Sequence, residues 1–225
     1  MIEAVVFDLD GVILDTEELW NEVREGFARE RGGRWSERAQ ADMMGMSSTE
    51  WSRYMHELVG VAESPEEINR EVVRRMLDRY AERLPLIEGA VDAVERMAAR
   101  WPLGLASSSN RELIEAALEV SGLASFFGAT VSSEEVERGK PAPDVYLEAA
   151  RGLDVEPGTC AAIEDSANGI RSAQAAGMAV VAIPNWAFPP PDDALSLAAV
   201  VLSSIAELEP RVITEEVRPS TASSG

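Results

Sequence analysis

The chain has 225 residues, 46% apolar and 27% charged, as in a soluble globular protein built on one large core, alone or with a smaller module. Its 40 acidic residues outnumber 20 basic ones, and the net charge of −20 excludes nucleic acid and an anionic membrane surface, which both need a basic face. No apolar run approaches the roughly 18 residues of a membrane span. An acid at Glu3 and no basic leader argue against a secretory signal, and the lone Cys160 suits a reducing, cytoplasmic setting.

In chain order, Val5, Val6 and Phe7 read as a buried strand, and Asp8-Leu-Asp-Gly11 as the turn leaving its carboxyl end. The next strand candidate is Leu103–Ser107, about ninety residues on, far beyond the roughly 30 residues of a βαβ unit. The excess, residues 16–84, reads as helices. Leu19, Val23 and Phe27 recur at helical spacing, then Trp51, Met55 and Leu58, then Ile68, Val72, Met76 and Tyr80. Breaks fall at Arg31-Gly-Gly33, Gly45 and Gly60, and Ser64-Pro65-Glu-Glu opens the last long helix. A helix follows at 90–100. Strands are expected near 103–107, 128–132, 160–164, 179–183 and 198–202. Helices are expected near 111–121, 142–152, 168–176 and 204–208. Such alternation predicts a parallel sheet covered on both faces. Residues 184–193 read as a surface loop, and the Ser/Thr/Pro-rich end as a disordered tail.

Four segments fall at or just after core strand ends: Asp8–Asp10, Ser107–Ser109, Lys140 and Glu164-Asp165. Open α/β sheets bind ligands there. Two acids held together repel unless a cation sits between them, and Mg²⁺ takes one or two carboxylates plus phosphate oxygens. A carboxylate can attack phosphorus, while a hydroxyl, backbone N–H groups and an ammonium hold the other oxygens. Lys140 is the one lysine among the 20 basic residues, in Gly139-Lys-Pro-Ala-Pro-Asp144, and a compact ammonium is not interchangeable with a guanidinium fork. Taken singly, each segment also fits a structural role: a turn, a loop into an N-cap, or a helix start.

Together, Val6-Phe-Asp-Leu-Asp-Gly-Val-Ile-Leu-Asp-Thr-Glu17, Ala106-Ser-Ser-Ser109, Gly139-Lys-Pro-Ala-Pro-Asp144 and Ile163-Glu-Asp-Ser-Ala-Asn-Gly-Ile170 resemble the motifs of the haloacid dehalogenase-like hydrolases, in the subgroup with a helical cap after the first motif. The resemblance implies a doubly wound, Rossmann-like α/β core (1–15 and 85–213) with a helical cap (16–84), and 214–225 is left as the disordered tail. It implies that Asp8 is the nucleophile and a Mg²⁺ ligand. Asp10 would be general acid and then base, with its backbone carbonyl on the metal. Ser107 would hydrogen-bond the phosphoryl group, and Lys140 would neutralise charge between Asp8 and phosphate. Asp165 would ligate the metal, with Glu164 as a further ligand or its support. Gly11 would permit the tight turn, and Gly169 close helix packing.

Within the family, Asp10 argues against dehalogenation, and the absence of a cap lysine against phosphonoacetaldehyde hydrolysis. β-Phosphoglucomutase is the nearest alternative, but Trp20 stands where the mutase has histidine and Ser48 where it has a phosphate-gripping arginine. The expected activity is therefore a Mg²⁺-dependent phosphatase for a small phosphorylated metabolite, a sugar or polyol phosphate. A phospho-accepting signalling domain is a more distant alternative. Candidate substrate-binding residues are Glu17, Trp20, Met46 and Ser48 from the cap, with Ser108, Asn110 and Arg111 from the core. The only histidine, His56, is expected at the surface, and a monomer is expected.

Overall fold

The structure, a computed structural model, describes residues 1–44, 46–185 and 189–218. Its strands are β1 (Ala4–Phe7), β2 (Leu103–Ser107), β3 (Phe127–Ser132), β4 (Cys160–Glu164), β5 (Ala179–Ala182) and β6 (Val200–Val201). They form one parallel sheet in the order β3-β2-β1-β4-β5-β6. Helices α1 (Glu17–Glu30), α2 (Glu37–Met43), α3 (Ser48–Tyr54), α4 (Pro65–Glu82) and α5 (Ala90–Ala98) come between β1 and β2. Helices α6 (Arg111–Ser121), α7 (Asp144–Gly152), α8 (Ala167–Ala175) and the short α9 (Asp192–Leu195) follow. No helix among the described residues is long and apolar enough to cross a membrane.

β1 is apolar at every position because helices cover both faces of the sheet. Strand alternation sends Val5 and Phe7 into one core with Leu105 and Ile163, and Ala4 and Val6 into a second with Ala162 and Val180. The first core continues without a break into the cap, through Phe27, Ile68, Val72 and Met76, because α4 packs on α6. The Ser-Pro-Glu-Glu signal holds: Ser64 and Glu67 cap each other's backbone N–H groups, with Pro65 in the first turn.

Leu58, expected on the buried face with Trp51 and Met55, is 66% exposed, and Val59 is buried instead. Residues Met55–Val59 form a π turn, whose wider winding carries the inward face one residue further. His56 lies at the surface, its Nδ1 within 2.9 Å of Glu63 O. The expected last strand is only two residues long, and the helix expected at 204–208 is one 3₁₀ turn, Ile205–Glu207. Pro210 closes that region to a longer helix by disfavouring helical backbone at Glu209. The chain remains structured past 214: Val212–Glu216 form a helical turn, anchored by buried Val212, Ile213 and Val217. Residues 219–225 of the expected tail, the break at Gly45 and residues 186–188 of the expected loop lie outside the described residues.

In this strand order β2 and β3 lie on one side of β1, and β4 to β6 on the other. The crevice between the carboxyl ends of β1 and β4 is therefore the switch point at which open α/β sheets bind ligands.

Candidate active site

Asp8 leaves β1 at that crevice, its N–H donating to Ile163 O of β4 at 3.0 Å. Glu164 ends β4, and Asp165 follows it. Lys140 arrives from the loop before α7 and places Nζ 2.9 Å from Asp8 Oδ1 and 2.6 Å from Glu164 Oε1. All four side chains are buried.

Glu164 is saturated by the protein. Its Oε1 accepts from Lys140 and from the Tyr146 hydroxyl at 2.7 Å; its Oε2 accepts from the Asp165 and Ser166 N–H groups and the Ser166 hydroxyl. This network fixes Glu164 as the anchor of the Lys140 ammonium. Burial acts to lower the Lys140 pKa, but Asp8 and Glu164 outweigh it and hold the ammonium charged.

Two glycines make room for the acids. A Cβ on Gly11, whose φ of +78° favours glycine in any case, would lie 2.0 Å from Asp165 Oδ2. A Cβ on Gly169 would lie 1.7 Å from Glu164 Oε1. Gly169 thus accommodates a carboxylate rather than a neighbouring helix.

Asp10 is held from two sides. Thr16, the N-cap of α1, donates to Oδ1 at 2.5 Å, and Ser109 donates to Oδ2 at 2.6 Å. The Trp20 indole N–H lies 3.4 Å from Oδ1. Thr16 and Ser109 lie within the first and second motifs, but the sequence alone assigns no role to either hydroxyl.

Asp8, Glu164 and Asp165 each present an oxygen within 4.8 Å of the others. Burial, with repulsion from Glu164 and Asp10, raises Asp8 to about 7 despite Lys140. Burial and the neighbouring Glu164 and Asp8 hold Asp165 well above the usual carboxylate range. Three clustered carboxylates therefore face one ammonium, and the donor set is all oxygen: it fits a hard divalent cation. With Glu164 occupied by Lys140 and Tyr146, and the Asp10 carboxylate by Thr16 and Ser109, the carboxylates of Asp8 and Asp165 are the ones placed to ligate it.

Asp8, Asp10, Lys140 and Asp165 form the floor of a cavity of about 240 Å³, with Glu164 beneath it and the cap above. Glu17, Trp20 and Met46 of the candidate substrate-binding set line it, with Ser108 from the core. Burial and the nearby Asp10 push the Glu17 carboxyl up to about 7, with Arg24 opposing. Ser107 is wholly buried behind that wall, its Oγ accepting from the Ser109 N–H at 3.0 Å, while Ser108 and Ser109 line the cavity.

Three expected substrate contacts lie elsewhere. Arg111 turns onto Glu135 and the hydroxyl and carbonyl of Thr130, because β3 runs beside the start of α6. Ser48 and Asn110 turn onto Glu134, whose Oε1 accepts from Ser48 Oγ at 3.1 Å and Asn110 Nδ2 at 2.6 Å, and whose Oε2 accepts from the Arg111 N–H. Asn110 also donates to Asn69 of α4. Ser48, Asn69, Asn110 and Glu134 therefore form a polar latch between cap and core. Arg24, unnoticed in the sequence, is buried in the cap and lines the cavity.

The model of the haloacid dehalogenase-like hydrolases matches residues 2–177. Hexitol phosphatase B of Escherichia coli (strain K12) is 32% identical, the match spanning 92% of this chain and 94% of that protein. Fructose-1-phosphate phosphatase YqaB of the same organism is 34% identical over 79% of this chain and 94% of its own. Among solved structures, β-phosphoglucomutase from Clostridium difficile superposes with a TM-score of 0.83 at 25% identity, covering 96% of this chain and 97% of that one. By motif, fold and relatives, the chain belongs to the haloacid dehalogenase-like hydrolase family.

Proposed function

We propose that the enzyme, a phosphoric monoester hydrolase, is a Mg²⁺-dependent phosphatase that releases phosphate from a small phosphorylated sugar or polyol through a phosphorylated Asp8. The observation that carries this reading is the convergence of Asp8, Lys140, Glu164 and Asp165, from three distant chain segments, at the β1/β4 crevice. The hexitol and fructose 1-phosphate activities of the two relatives support the substrate class.

Asp8 attacks phosphorus in line. The new Asp8 O–P bond forms as the bond to the leaving alcohol breaks, and Asp10 gives that oxygen a proton. Asp10 then takes a proton from the water that attacks the same phosphorus, freeing Asp8 and inorganic phosphate. The hydrogen bonds from Thr16 and Ser109 aim the Asp10 carboxyl at the leaving group and then at the water. Lys140, Ser108 and Ser109, which line the cavity, hold the phosphoryl oxygens, and the ammonium balances their charge in the transition state. Mg²⁺, held by Asp8, Asp165 and the Asp10 backbone carbonyl, would neutralise charge on the same oxygens.

The test is phosphate release across a panel of phosphorylated sugars and polyols, with Mg²⁺ and with chelator. Mg²⁺-dependent turnover on members of the panel is expected; no release from any of them contradicts the reading. Including β-glucose 1-phosphate with a glucose 6-phosphate readout separates a hydrolase from a mutase.

A further inference from the structure

Helix α1 turns Glu17, Trp20, Asn21 and Arg24 towards the cavity, positions i, i+3, i+4 and i+7 of one face. At the far end of this stripe Arg24 is only 8% exposed. Its guanidinium carbon lies 4.4 Å from the Trp20 ring centroid and 4.8 Å from that of Trp51. No hydrogen bond or ion pair reaches it among the described residues, and its Nε is buried without a partner. Asn21 Oδ1, one turn away, is likewise buried and unpartnered.

Removing a guanidinium from water is costly, and an unmatched buried cation is the most costly case. The aromatic rings supply no in-plane hydrogen-bond acceptor, so the guanidinium N–H donors have no partner among the described residues. Those donors match the two oxygens of a carboxylate or phosphate. Asp10 and Glu17 offset the charge only at a distance, since neither forms an ion pair with Arg24, and Asp10 already accepts from Thr16 and Ser109. A neutral hydroxyl would accept one hydrogen bond and leave the charge unmatched. Glu17 lies at the opposite end of the stripe, about 10 Å away along the helix, beside Asp10. The stripe therefore runs from an acidic end near the reacting centre to a cationic end remote from it.

We propose that Arg24 is a specificity-determining residue that grips a second anionic group on the substrate, a carboxylate or a second phosphate, remote from the phosphoryl group that meets Asp8. This deepens the phosphatase reading and rests on it: among phosphorylated sugars and polyols, the enzyme selects sugar-acid phosphates or bisphosphates.

The experiment compares kcat/KM for three substrates: fructose 1-phosphate with a neutral tail, 6-phosphogluconate with a carboxylate, and fructose 1,6-bisphosphate. Wild type, Arg24→Lys and Arg24→Met are measured, with circular dichroism as the folding control. Wild type is expected to favour at least one doubly anionic substrate over the neutral one by about tenfold or more. Arg24→Met should lower that ratio by about 10- to 100-fold, the scale of one or two charged hydrogen bonds. The loss should fall mainly on KM, with Arg24→Lys retaining part of the preference. Whichever anionic substrate carries the effect identifies the anion. A wild-type preference for the neutral substrate, or a ratio unchanged in Arg24→Met, overturns the proposal. If Arg24→Met does not fold, the wild-type preference decides. Absence of release from every substrate would contradict the phosphatase reading instead. Calorimetric binding of the same three compounds to wild type then decides for Arg24: equal affinities overturn its role, and tighter anionic binding sustains it.

Discussion

The floor of the cavity and its roof are built on opposite principles. On the floor, Glu164 accepts from Lys140, Tyr146, Ser166 and its own following backbone, and Asp10 is clamped between Thr16 and Ser109. On the roof, buried Arg24 and half-buried Asn21 each keep a buried polar atom, Nε and Oδ1, that no described residue satisfies. The Glu164 and Asp10 carboxylates of the floor are hydrogen-bonded within the protein, whereas the roof keeps buried polar atoms without partners, which is the contrast the Arg24 proposal rests on. Reaction and recognition are thus separable here, carried by the sheet edge and by helix α1.

The sharpest way to break this contrast is on the floor. Asp8→Asn removes the nucleophile with little change in shape, and phosphate release should fall by about 10⁴-fold or more on every substrate. Lys140→Arg keeps the charge but not the fit. A broad fork cannot replace a compact ammonium 2.6 Å from one carboxylate and 2.9 Å from another, and kcat should drop about 10²–10³-fold. Near-normal turnover in Lys140→Arg would show that the floor is less rigidly specified than its geometry implies.

The latch between the two regions comes next. Glu134→Ala leaves Ser48, Asn110 and the Arg111 N–H without their shared acceptor. A loss of about 1–3 kcal/mol in stability is expected. A roughly three- to tenfold fall in kcat/KM should accompany it if closure of the cap sets the fit over Asp8. Denaturant unfolding and steady-state kinetics on one preparation measure both.

The contrast also predicts a pH dependence of stability in the metal-free protein. Asp8 titrates at about 7 in the fold, against 3.8 for an ordinary aspartate, chiefly because it is buried. The folded chain therefore holds this proton more tightly than the unfolded one. The resulting stabilisation is complete below pH 3.8 and is lost as pH rises towards 7. Chelator-treated protein should lose on the order of ten degrees of Tm between about pH 4 and 7 from this group. Mg²⁺ should reverse the loss, and Asp8→Asn should lack the Asp8 share. A Tm that rises through that window with no Mg²⁺ present would contradict the placement of Asp8 in the floor.

The two regions also differed in how legible they were from sequence. Asp8, Lys140, Glu164 and Asp165 each follow a strand or precede a helix, so local pattern and chain order locate them at one sheet edge. On α1, the apolar series Leu19, Val23 and Phe27 locates the face against the cap core, and Glu17 and Trp20, at and just past the end of the first motif, are expected to face the substrate. Asn21 and Arg24, further along the same stripe, were missed, because helical periodicity does not distinguish a cavity from solvent. Ser48, Asn110 and Arg111 went astray for a related reason. Their acceptors, Glu134 and Glu135, sit in a short turn after β3, and only the folded chain brings them together. Val59 replaced Leu58 in the core because a π turn moved the inward face, a change in winding that no spacing rule foresees.

The most direct measurement is rapid-quench mass spectrometry of the enzyme turning over a phosphorylated sugar with Mg²⁺. A phosphoryl increment on the peptide containing Asp8 is expected, appearing before steady-state phosphate release and absent from Asp8→Asn. Turnover at the wild-type rate in Asp8→Asn, or a phosphoryl group trapped on a different residue, would contradict the account.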